Sequence, residues 1–174
     1  MEAAIYSGSY DPCTNGHLFV IKQALQQFGS LLVLVADNPV KKYEFSQGER
    51  KYLIDEAIRE NFSESDRLNL SVEILPLGGV TVKYAQERGI SIFVRGLRDQ
   101  TDMIDERKLY NYQTEMFPEA IHSYIMPPDE MLKISSSYMK WFAAKNEWDK
   151  LAKHVPAVVI EMWKEKKKWI ETAR

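Results

Sequence analysis

The most chemically suggestive residues of this sequence form a short polar segment, SGSYDPCTNGH, at residues 7–17. It follows an apolar run and precedes apolar residues at helical spacing, so it predicts a strand–turn–helix connection. Gly8 would let a ligand approach the backbone without a Cβ in the way, and Thr14 or Asn15 would cap the helix. His17 then falls in the first helical turn, where unpaired amides and the helix dipole attract anions. The segment therefore predicts a phosphate-binding site, and a plain connection with a capping histidine is the alternative.

Three further segments carry cationic or hydroxyl side chains that suit phosphate groups. Lys41 and Lys42 lie in DNPVKK at residues 37–42, after a turn-forming proline, and either could reach a phosphate. RGLR at residues 95–98 places two guanidinium groups, whose planar forks match phosphate oxygens, directly after an apolar run. ISSS at residues 134–137 would open a helix and supply hydroxyl and amide groups. Each segment alone is also consistent with solvated side chains or an ordinary helix cap. Together with His17 they predict phosphoryl or nucleotidyl transfer, in which the protein positions reactants and neutralises charge.

The composition argues against several other classes of function. A formal net charge of −2 over 174 residues gives no argument for a nucleic acid or a membrane surface as partner. Cys13 is the only cysteine, which excludes an intrachain disulfide, and three scattered histidines do not form a zinc pattern. An apolar slot is the commoner place for a lone cysteine. No apolar stretch approaches the roughly 20 residues that span a bilayer, and the first residues do not resemble a signal peptide. We therefore expect a soluble protein of the reducing cytoplasm.

The elements that must position these segments alternate between strand and helix. Strands are predicted at residues 3–8, 31–37, 70–77, 90–96 and 122–127, and helices at residues 17–28, 46–61, 81–89, 102–116, 136–145 and about 157–171. The alternation predicts one α/β domain over residues 1–174, with a Rossmann-like, doubly wound, five-stranded parallel sheet and right-handed crossovers. Ligands of such sheets bind at the carboxyl ends of the strands. All four polar segments fall there, so we expect them to converge.

The last predicted helix is amphipathic. Val159, Met162, Trp163 and Ile170 lie on or near one stripe, which would suit packing on the domain or on a neighbouring subunit. The segment KEKKKW at residues 164–169 could be a basic anchor, but it lacks a larger basic context. It is therefore expected to form a solvated helix face.

These segments resemble those of the phosphopantetheine adenylyltransferase family. GSYDPCTNGH is similar to the family signature G-[ST]-[FY]-D-P-x-T-x-G-H, and RGLR and ISSS follow in the family's order and spacing. The resemblance runs from Ala4 to the C-terminal helix and includes GGVTVKYA at residues 78–85 and MFPE at residues 116–119. The T/H-x-G-H motif alone indicates only the nucleotidyltransferase superfamily, whereas RGLR with ISSS indicates the narrower family.

The resemblance implies transfer of AMP from ATP to 4′-phosphopantetheine with Mg²⁺, giving dephospho-CoA and pyrophosphate in coenzyme A biosynthesis. It further implies a homo-oligomer, specifically a hexamer, and CoA as a candidate feedback ligand. By this resemblance His17 and Lys41 are the catalytic residues. The implied ATP-binding residues are Ser9, Tyr10, His17, Gly96, Leu97, Arg98, Glu106, Met131, Ser135, Ser136 and Ser137, and the implied acceptor-binding residues are Ser9, Lys41, Thr81 and Arg95.

Several positions depart from the family pattern. Ser7 stands where the family usually has proline, and Met131 where it often has tyrosine or tryptophan near the adenine. DERKLYNYQTEMFP at residues 105–118 stands where the family usually has a helix with a Met/Ala-rich stretch and an Asn-Arg pair, and this change could loosen acceptor specificity or remodel subunit contacts. KNEW at residues 145–148 replaces Gly-Gly. None of these changes removes a group that the chemistry requires.

Two alternatives stay open at the level of the residues. One is the same reaction with another phosphorylated acceptor, such as nicotinamide mononucleotide, or a polyol phosphate with CTP. The other is a non-catalytic nucleotide sensor on the same scaffold. Retention of His17, Lys41, Arg95 and Arg98 argues against the sensor, because a sensor would not need the whole transfer set.

Overall fold

Five parallel strands form the centre of the protein in a computed structural model that describes residues 3–132 and 134–172. They are β1 (Ala3–Gly8), β2 (Ser30–Val35), β3 (Leu70–Ile74), β4 (Ile92–Gly96) and β5 (Ile121–Ile125). Their order in the sheet is β3-β2-β1-β4-β5, and every neighbouring pair is parallel. The direction of winding reverses between β1 and β4, which makes their carboxyl ends the switch point of a doubly wound sheet. The predicted fold class is confirmed.

Helices connect and cover the strands. They are α1 (Asn15–Phe28), α2 (Gln47–Asn61), α3 (Glu64–Arg67), α4 (Thr81–Gln86), α5 (Gln100–Met116), a 3₁₀ helix (Asp129–Met131), α6 (Ser136–Ala144), α7 (Trp148–Leu151) and α8 (Ala157–Thr172). The helices α3 and α7 and the 3₁₀ helix were not predicted. Each has four residues or fewer, which is too short for apolar periodicity to appear in the sequence.

The inner strands are apolar along their whole length because helices cover both faces of the sheet. On one face, Tyr6 and Val33 pack with Ile21 of α1 and Ile54 of α2. On the other face the neighbouring strand residues pack against α4, in a cluster that includes Ile5, Leu32, Leu34, Val82 and Ala85. Alternate residues of β1 and β2 thus serve two different cores.

The predicted capping signals are confirmed, and the strands are shorter than predicted. The Ser46 side chain accepts from the Glu49 N–H while the Glu49 side chain accepts from the Ser46 N–H. Gly29 ends α1 with a φ of 81°. The strands predicted over 31–37 and 70–77 end at Val35 and Ile74, and the residues that follow, 36–37 and 75–77 with Pro76, belong to loops at the carboxyl edge of the sheet.

The apolar stripe of α8 packs on the domain itself. Val159 and Trp163 are buried in a third cluster with Phe45, Leu53 and Met139, and the Phe45 and Trp163 ring centroids lie 5.4 Å apart. The side chain of Ile170, predicted on this stripe, lies outside the described residues.

The basic segment of α8 is only partly solvated, contrary to the prediction. The Lys166 ammonium donates to the Glu44 carbonyl at 2.9 Å and to the Glu49 carboxylate at 3.2 Å, and Lys167 donates to the Asn146 side chain. Lys164 and Lys168 are exposed. In the described residues no helix is both long enough and apolar enough to cross a membrane.

The packing of α8 leads to a stability prediction. Trp163→Ala should lower the free energy of unfolding by about 3–5 kcal/mol, because Trp163 is only 2% exposed and its removal leaves a cavity. Trp169→Ala is the matched control, since Trp169 is 73% exposed, and should change that free energy by less than about 0.5 kcal/mol. Chemical denaturation of both variants measures the difference. Equal changes in the free energy of unfolding for the two variants would show that α8 does not belong to the core.

Candidate active site

A cavity of about 150 Å³ opens at the carboxyl ends of β1 and β2. Three of the predicted segments meet there: the β1–α1 loop, the β2–α2 loop and the start of α6. The lining residues are Ser9, Asp11, Lys41, Lys42, Tyr43, Ser136, Ser137 and Lys140. The predicted convergence of the DNPVKK and ISSS segments with the first loop is therefore confirmed.

His17 is fixed by the cap of its own helix. It is the third residue of α1, and its Nδ1 lies 3.0 Å from the backbone N–H of Thr14, the N-cap. A backbone N–H can only donate, so Nδ1 accepts, and the proton of the neutral ring is on Nε2. The histidine takes the place that Glu or Gln usually has in a capping box. The arrangement leaves Nε2–H as a hydrogen-bond donor of fixed direction.

The electrostatic surroundings keep His17 neutral. Burial lowers its pKa to about 3, with the positive charges of Arg98, Arg95 and Lys41 acting in the same direction. These three cations come from the other predicted segments, and their charges act on the imidazole in the same direction as burial. An uncharged donor among cations is suited to an anionic ligand.

Arg95 is held by a carboxylate of α5. Its Nε and one terminal nitrogen donate to both oxygens of Glu106 at 2.6–2.9 Å, and its other terminal nitrogen donates to the Ser7 carbonyl at 2.5 Å. Glu106, expected beside ATP, thus lies on the residue expected to bind the acceptor. At position 7 the backbone carbonyl, rather than the serine side chain, makes this contact.

Arg98 is held by a second carboxylate of α5. Asp102 accepts from the backbone N–H of Arg98 at 3.0 Å and from two guanidinium nitrogens at 2.9 Å. The remaining terminal nitrogen lies 3.3 Å from the Ile134 carbonyl, next to the start of α6. Sequence reasoning missed Asp102, because Arg98 lies before the N-cap of α5 and the spacing rule for ion pairs holds only within a helix.

The three serines at the start of α6 have different roles. Ser135 is the N-cap, and its side chain accepts from the Tyr138 N–H at 3.2 Å. The Ser136 hydroxyl donates to the Pro12 carbonyl at 2.9 Å and so joins α6 to the first loop. Ser136 and Ser137 line the cavity, whereas Ser135 does not. The helix N-terminus therefore faces the same space as Lys41.

Tyr10 is a buried residue of the loop rather than an exposed ligand contact. It is 1% exposed, its hydroxyl donates to the Tyr6 carbonyl at 2.7 Å, and its ring centroid lies 5.0 Å from that of His17. A Cβ at Gly8 would approach the Tyr10 ring to 3.1 Å. The expected reason for Gly8, room for a ligand, is therefore corrected: Gly8 makes room for the Tyr10 ring.

Of the predicted site residues, Ser9, Lys41, Ser136 and Ser137 line this cavity. The other ten lie outside its lining: Tyr10, His17, Thr81, Arg95, Gly96, Leu97, Arg98, Glu106, Met131 and Ser135. Leu97 is buried and its N–H donates to the Ile125 carbonyl. Thr81 begins α4, beside a second cavity of about 280 Å³ lined by residues that include Gly78, Gly79 and Val80. Met131 ends the 3₁₀ helix that precedes α6.

Cys13 takes no part in the candidate chemistry. It is fully buried, and burial raises the pKa of its thiol to about 12, so the reactive thiolate does not form at neutral pH. The predicted packing role is confirmed.

Two buried charges that sequence reasoning missed hold the site together. The Asp11 carboxylate accepts from the backbone N–H groups of Glu44 and Phe45 at 2.9 Å and pairs with the Lys140 ammonium. The Arg50 guanidinium, 1% exposed, donates to carbonyls of the first two loops and to a carboxylate after β2. Asp11 belongs to the family signature and Arg50 lies in a predicted helix, but no local pattern indicated the burial of either charge or its partners.

The comparisons with known proteins agree with this geometry. Residues 5–172 match the model of the cytidylyltransferase-like family. The phosphopantetheine adenylyltransferase of Chromobacterium violaceum is 34% identical over 86% of this chain and 87% of its own length. That of Anaeromyxobacter sp. strain K is 37% identical over 80% of each chain. The chain belongs to the phosphopantetheine adenylyltransferase family. The resemblance drawn from the motifs is confirmed.

Solved structures share the fold of this phosphopantetheine adenylyltransferase family member. A Plasmodium falciparum nicotinic acid mononucleotide adenylyltransferase complexed with NaAD has a TM-score of 0.65 and 19% identity, over 95% of both chains. Thermotoga maritima TmcAL bound with alpha-thio ATP has a TM-score of 0.67 and 12% identity, over 97% of this chain and 56% of the other. At these identities the likeness concerns the fold alone.

The environment of His17 leads to a pH prediction for this family member. Its ring should stay neutral, with the proton on Nε2, from pH 8 down to about pH 4, because its pKa is lowered from 6.5 to about 3. Below about pH 6.5 the unfolded chain protonates this histidine, whereas the folded chain does not until about pH 3. The free energy of unfolding should therefore fall as pH is lowered from 6.5 towards 3, by at most about 1.4 kcal/mol per pH unit. NMR titration of the imidazole nitrogens measures this directly. A midpoint near 6.5 would contradict the described environment.

Proposed function

We propose that the protein transfers AMP from ATP to 4′-phosphopantetheine, which yields dephospho-CoA and pyrophosphate, the penultimate step of coenzyme A biosynthesis. The observation that carries the proposal is the His17 imidazole, which accepts from the Thr14 N–H and so presents Nε2–H as a donor, beside a cavity lined by Lys41 and the serines that open α6. Such a site suits two phosphate-bearing substrates. The acceptor is assigned from the curated relatives, which are phosphopantetheine adenylyltransferases at 34% and 37% identity.

The reaction proceeds by in-line attack of the acceptor phosphate on the α-phosphorus of ATP. A phosphate is already anionic at neutral pH, so no general base is required. His17 donates its Nε2–H to an α-phosphate oxygen as that group becomes pentacoordinate. Lys41 stabilises the same developing charge and contacts the acceptor phosphate. Rate enhancement comes from orientation and from preorganised positive charge.

Arg95 binds the acceptor phosphate in competition with Glu106. The donors on the Glu106 side of its guanidinium are engaged by that carboxylate, and the remaining terminal nitrogen reaches the Ser7 carbonyl. The acceptor phosphate must therefore displace Glu106 from Arg95 or share the guanidinium with it. A displaced Glu106 carboxylate would be able to accept a hydrogen bond from the nucleotide. Thr81, beside the second cavity, contacts the pantetheine arm.

ATP occupies the space between the first loop and α6. Arg98, Ser136, Ser137 and the N-terminus of α6 bind its phosphates, and Ser9 contacts both substrates. The buried Tyr10 contributes through its backbone and its packing against His17. Gly96, Leu97, Glu106, Met131 and Ser135 complete the nucleotide side of the site.

Mg²⁺ would bind together with ATP, as the ion of the Mg²⁺–ATP complex. Among the described residues no group of three or more His, Cys, Asp or Glu side chains is placed to hold a metal. Asp11 has both oxygens engaged by backbone N–H groups and Lys140. This donor set fits an ion that is held by phosphate oxygens and water, as Mg²⁺ usually is in nucleotide sites. When bound, the ion neutralises charge on the departing pyrophosphate.

The protein acts in the cytoplasm as a homo-oligomer, specifically a hexamer, with CoA as a feedback ligand. Self-association is supported by apolar side chains on α5 and the edge strand β5 that are 38–61% exposed, namely Met103, Ile104, Tyr110, Ile121 and Tyr124. Of the two roles that the sequence left open for the apolar stripe of α8, packing on the domain and a subunit contact, the stripe has the first.

A pyrophosphate-release assay across acceptors tests the proposed reaction. With ATP and Mg²⁺, release should depend on 4′-phosphopantetheine and stay at background with nicotinamide mononucleotide. A polyol phosphate supplied with CTP should likewise give background release. Mass spectrometry of the product should show dephospho-CoA. Pyrophosphate release with another acceptor would change the proposed substrate but not the proposed nucleotidyl transfer. ATP binding without release from any acceptor would instead indicate a nucleotide sensor.

His17→Ala tests the central contact. Turnover should fall by about 10²–10³-fold, because the lost donor acts on charge that develops in the transition state. The Kd for ATP, measured by calorimetry, should change by less than tenfold. His154→Ala is the matched control and should keep wild-type turnover. Unchanged turnover in His17→Ala would remove this residue from the mechanism.

A further inference from the structure

We propose that Tyr43 is a positioning residue that sets the place of the Lys41 ammonium at the cavity, and that Arg50 holds the Tyr43 ring in place. The proposal rests on the catalytic role of Lys41 given above. No sequence motif pointed to Tyr43 or Arg50.

The hydroxyl of Tyr43 closes the loop that carries Lys41. It accepts a short hydrogen bond from the Asn38 N–H and donates to the Asn38 carbonyl at 3.2 Å. The same carbonyl accepts from the Lys41 N–H at 2.9 Å, and the Asn38 side chain accepts from the Val40 N–H at 3.1 Å. Residues 38–43 therefore form a closed loop with Asn38 at its base and Lys41 on its far side.

The ring of Tyr43 is in turn fixed by Arg50. The guanidinium carbon lies 4.2 Å from the ring centroid, a cation–π contact. Every nitrogen of that guanidinium is engaged: Nε with the Phe45 carbonyl at 3.0 Å, one terminal nitrogen with the Ser9 carbonyl at 2.7 Å, and the other with Asp37 at 2.5 Å. Arg50 is 1% exposed and lies in α2. The ring thus rests on a group that cannot move independently of the core.

This arrangement matters because a lysine side chain has many rotamers and is a mobile point charge. Lys41 is exposed, so its ammonium is placed at the cavity mainly by the position of its backbone. Tyr43 lines the same cavity, but its hydroxyl is engaged with Asn38. It therefore acts on the reaction through Lys41 and not by contact with the substrate.

Tyr43→Phe removes only the hydroxyl and keeps the ring over Arg50, so the fold should be preserved. In pyrophosphate release, kcat should fall about tenfold, since orientation of the charge is lost, while KM for ATP stays within about twofold. In a Lys41→Ala background the same substitution should have no further effect on kcat, because its action passes through Lys41. Tyr52→Phe, an exposed tyrosine of α2, is the matched control with wild-type kinetics.

A second measurement does not depend on the reaction. The Lys41 amide donates to Asn38, and loss of the Tyr43 hydroxyl should raise its hydrogen-exchange rate by about tenfold or more, as read by NMR. Tyr52→Phe should leave that rate unchanged. An unchanged exchange rate in Tyr43→Phe, or a kcat loss that persists fully in the Lys41→Ala background, would overturn the proposal. Absence of wild-type pyrophosphate release would overturn the proposed function instead, and the exchange rate would still decide the role of Tyr43.

Discussion

The carboxylate of Asp11 joins the three segments that line the candidate active site. It belongs to the β1–α1 loop, its two backbone hydrogen bonds come from Glu44 and Phe45 before α2, and its ion pair is with Lys140 of α6. Because it is 3% exposed, a missing partner would leave a buried charge unpaired at a cost of several kcal/mol. The meeting of the segments that line the cavity therefore stabilises the fold.

The positively charged side chains at this edge of the sheet are held in place in two different ways. Arg95 and Arg98 are each held on a carboxylate of α5, and Arg50 is buried on Asp37. Lys41 instead lies on an exposed loop whose shape depends on Asn38 and Tyr43. The guanidinium groups are fixed by their own ion pairs, whereas the ammonium is placed by its backbone. The difference follows from the side chains. The planar guanidinium of arginine can donate to several acceptors in fixed directions, whereas the ammonium of lysine is a single charge on a flexible chain.

Local sequence patterns were sufficient for the sheet, the larger helices and the place of His17. Alternating strands and helices, the Ser46–Glu49 cap and the Thr14 cap are properties of neighbouring residues, and all are found in the structure. The packing of Tyr10 over Gly8 could not be predicted, because it depends on a buried loop conformation with a φ of 49° at Tyr10.

The buried charges were equally beyond sequence reasoning. Asp11 and Phe45 are 34 residues apart, and Arg50 and Ser9 are 41 residues apart. Burial of a charged group is decided by such distant partners and not by local periodicity. The family motifs indicated Glu106 as a site residue, but its pairing with Arg95 is a contact that only the folded chain displays.

The helix α5 is fastened to the rest of the molecule in an unusual way. Over 17 residues its one fully buried side chain is Gln113, while Asp102 and Glu106 near its start hold the two arginines of the site. Electrostatic contacts therefore carry much of the attachment that apolar burial provides for other helices. Asp102 and Glu106 share one rigid segment, so a tilt of α5 would displace both guanidinium groups together. The placement of this one helix therefore sets the positions of both Arg95 and Arg98 at the carboxyl edge of the sheet.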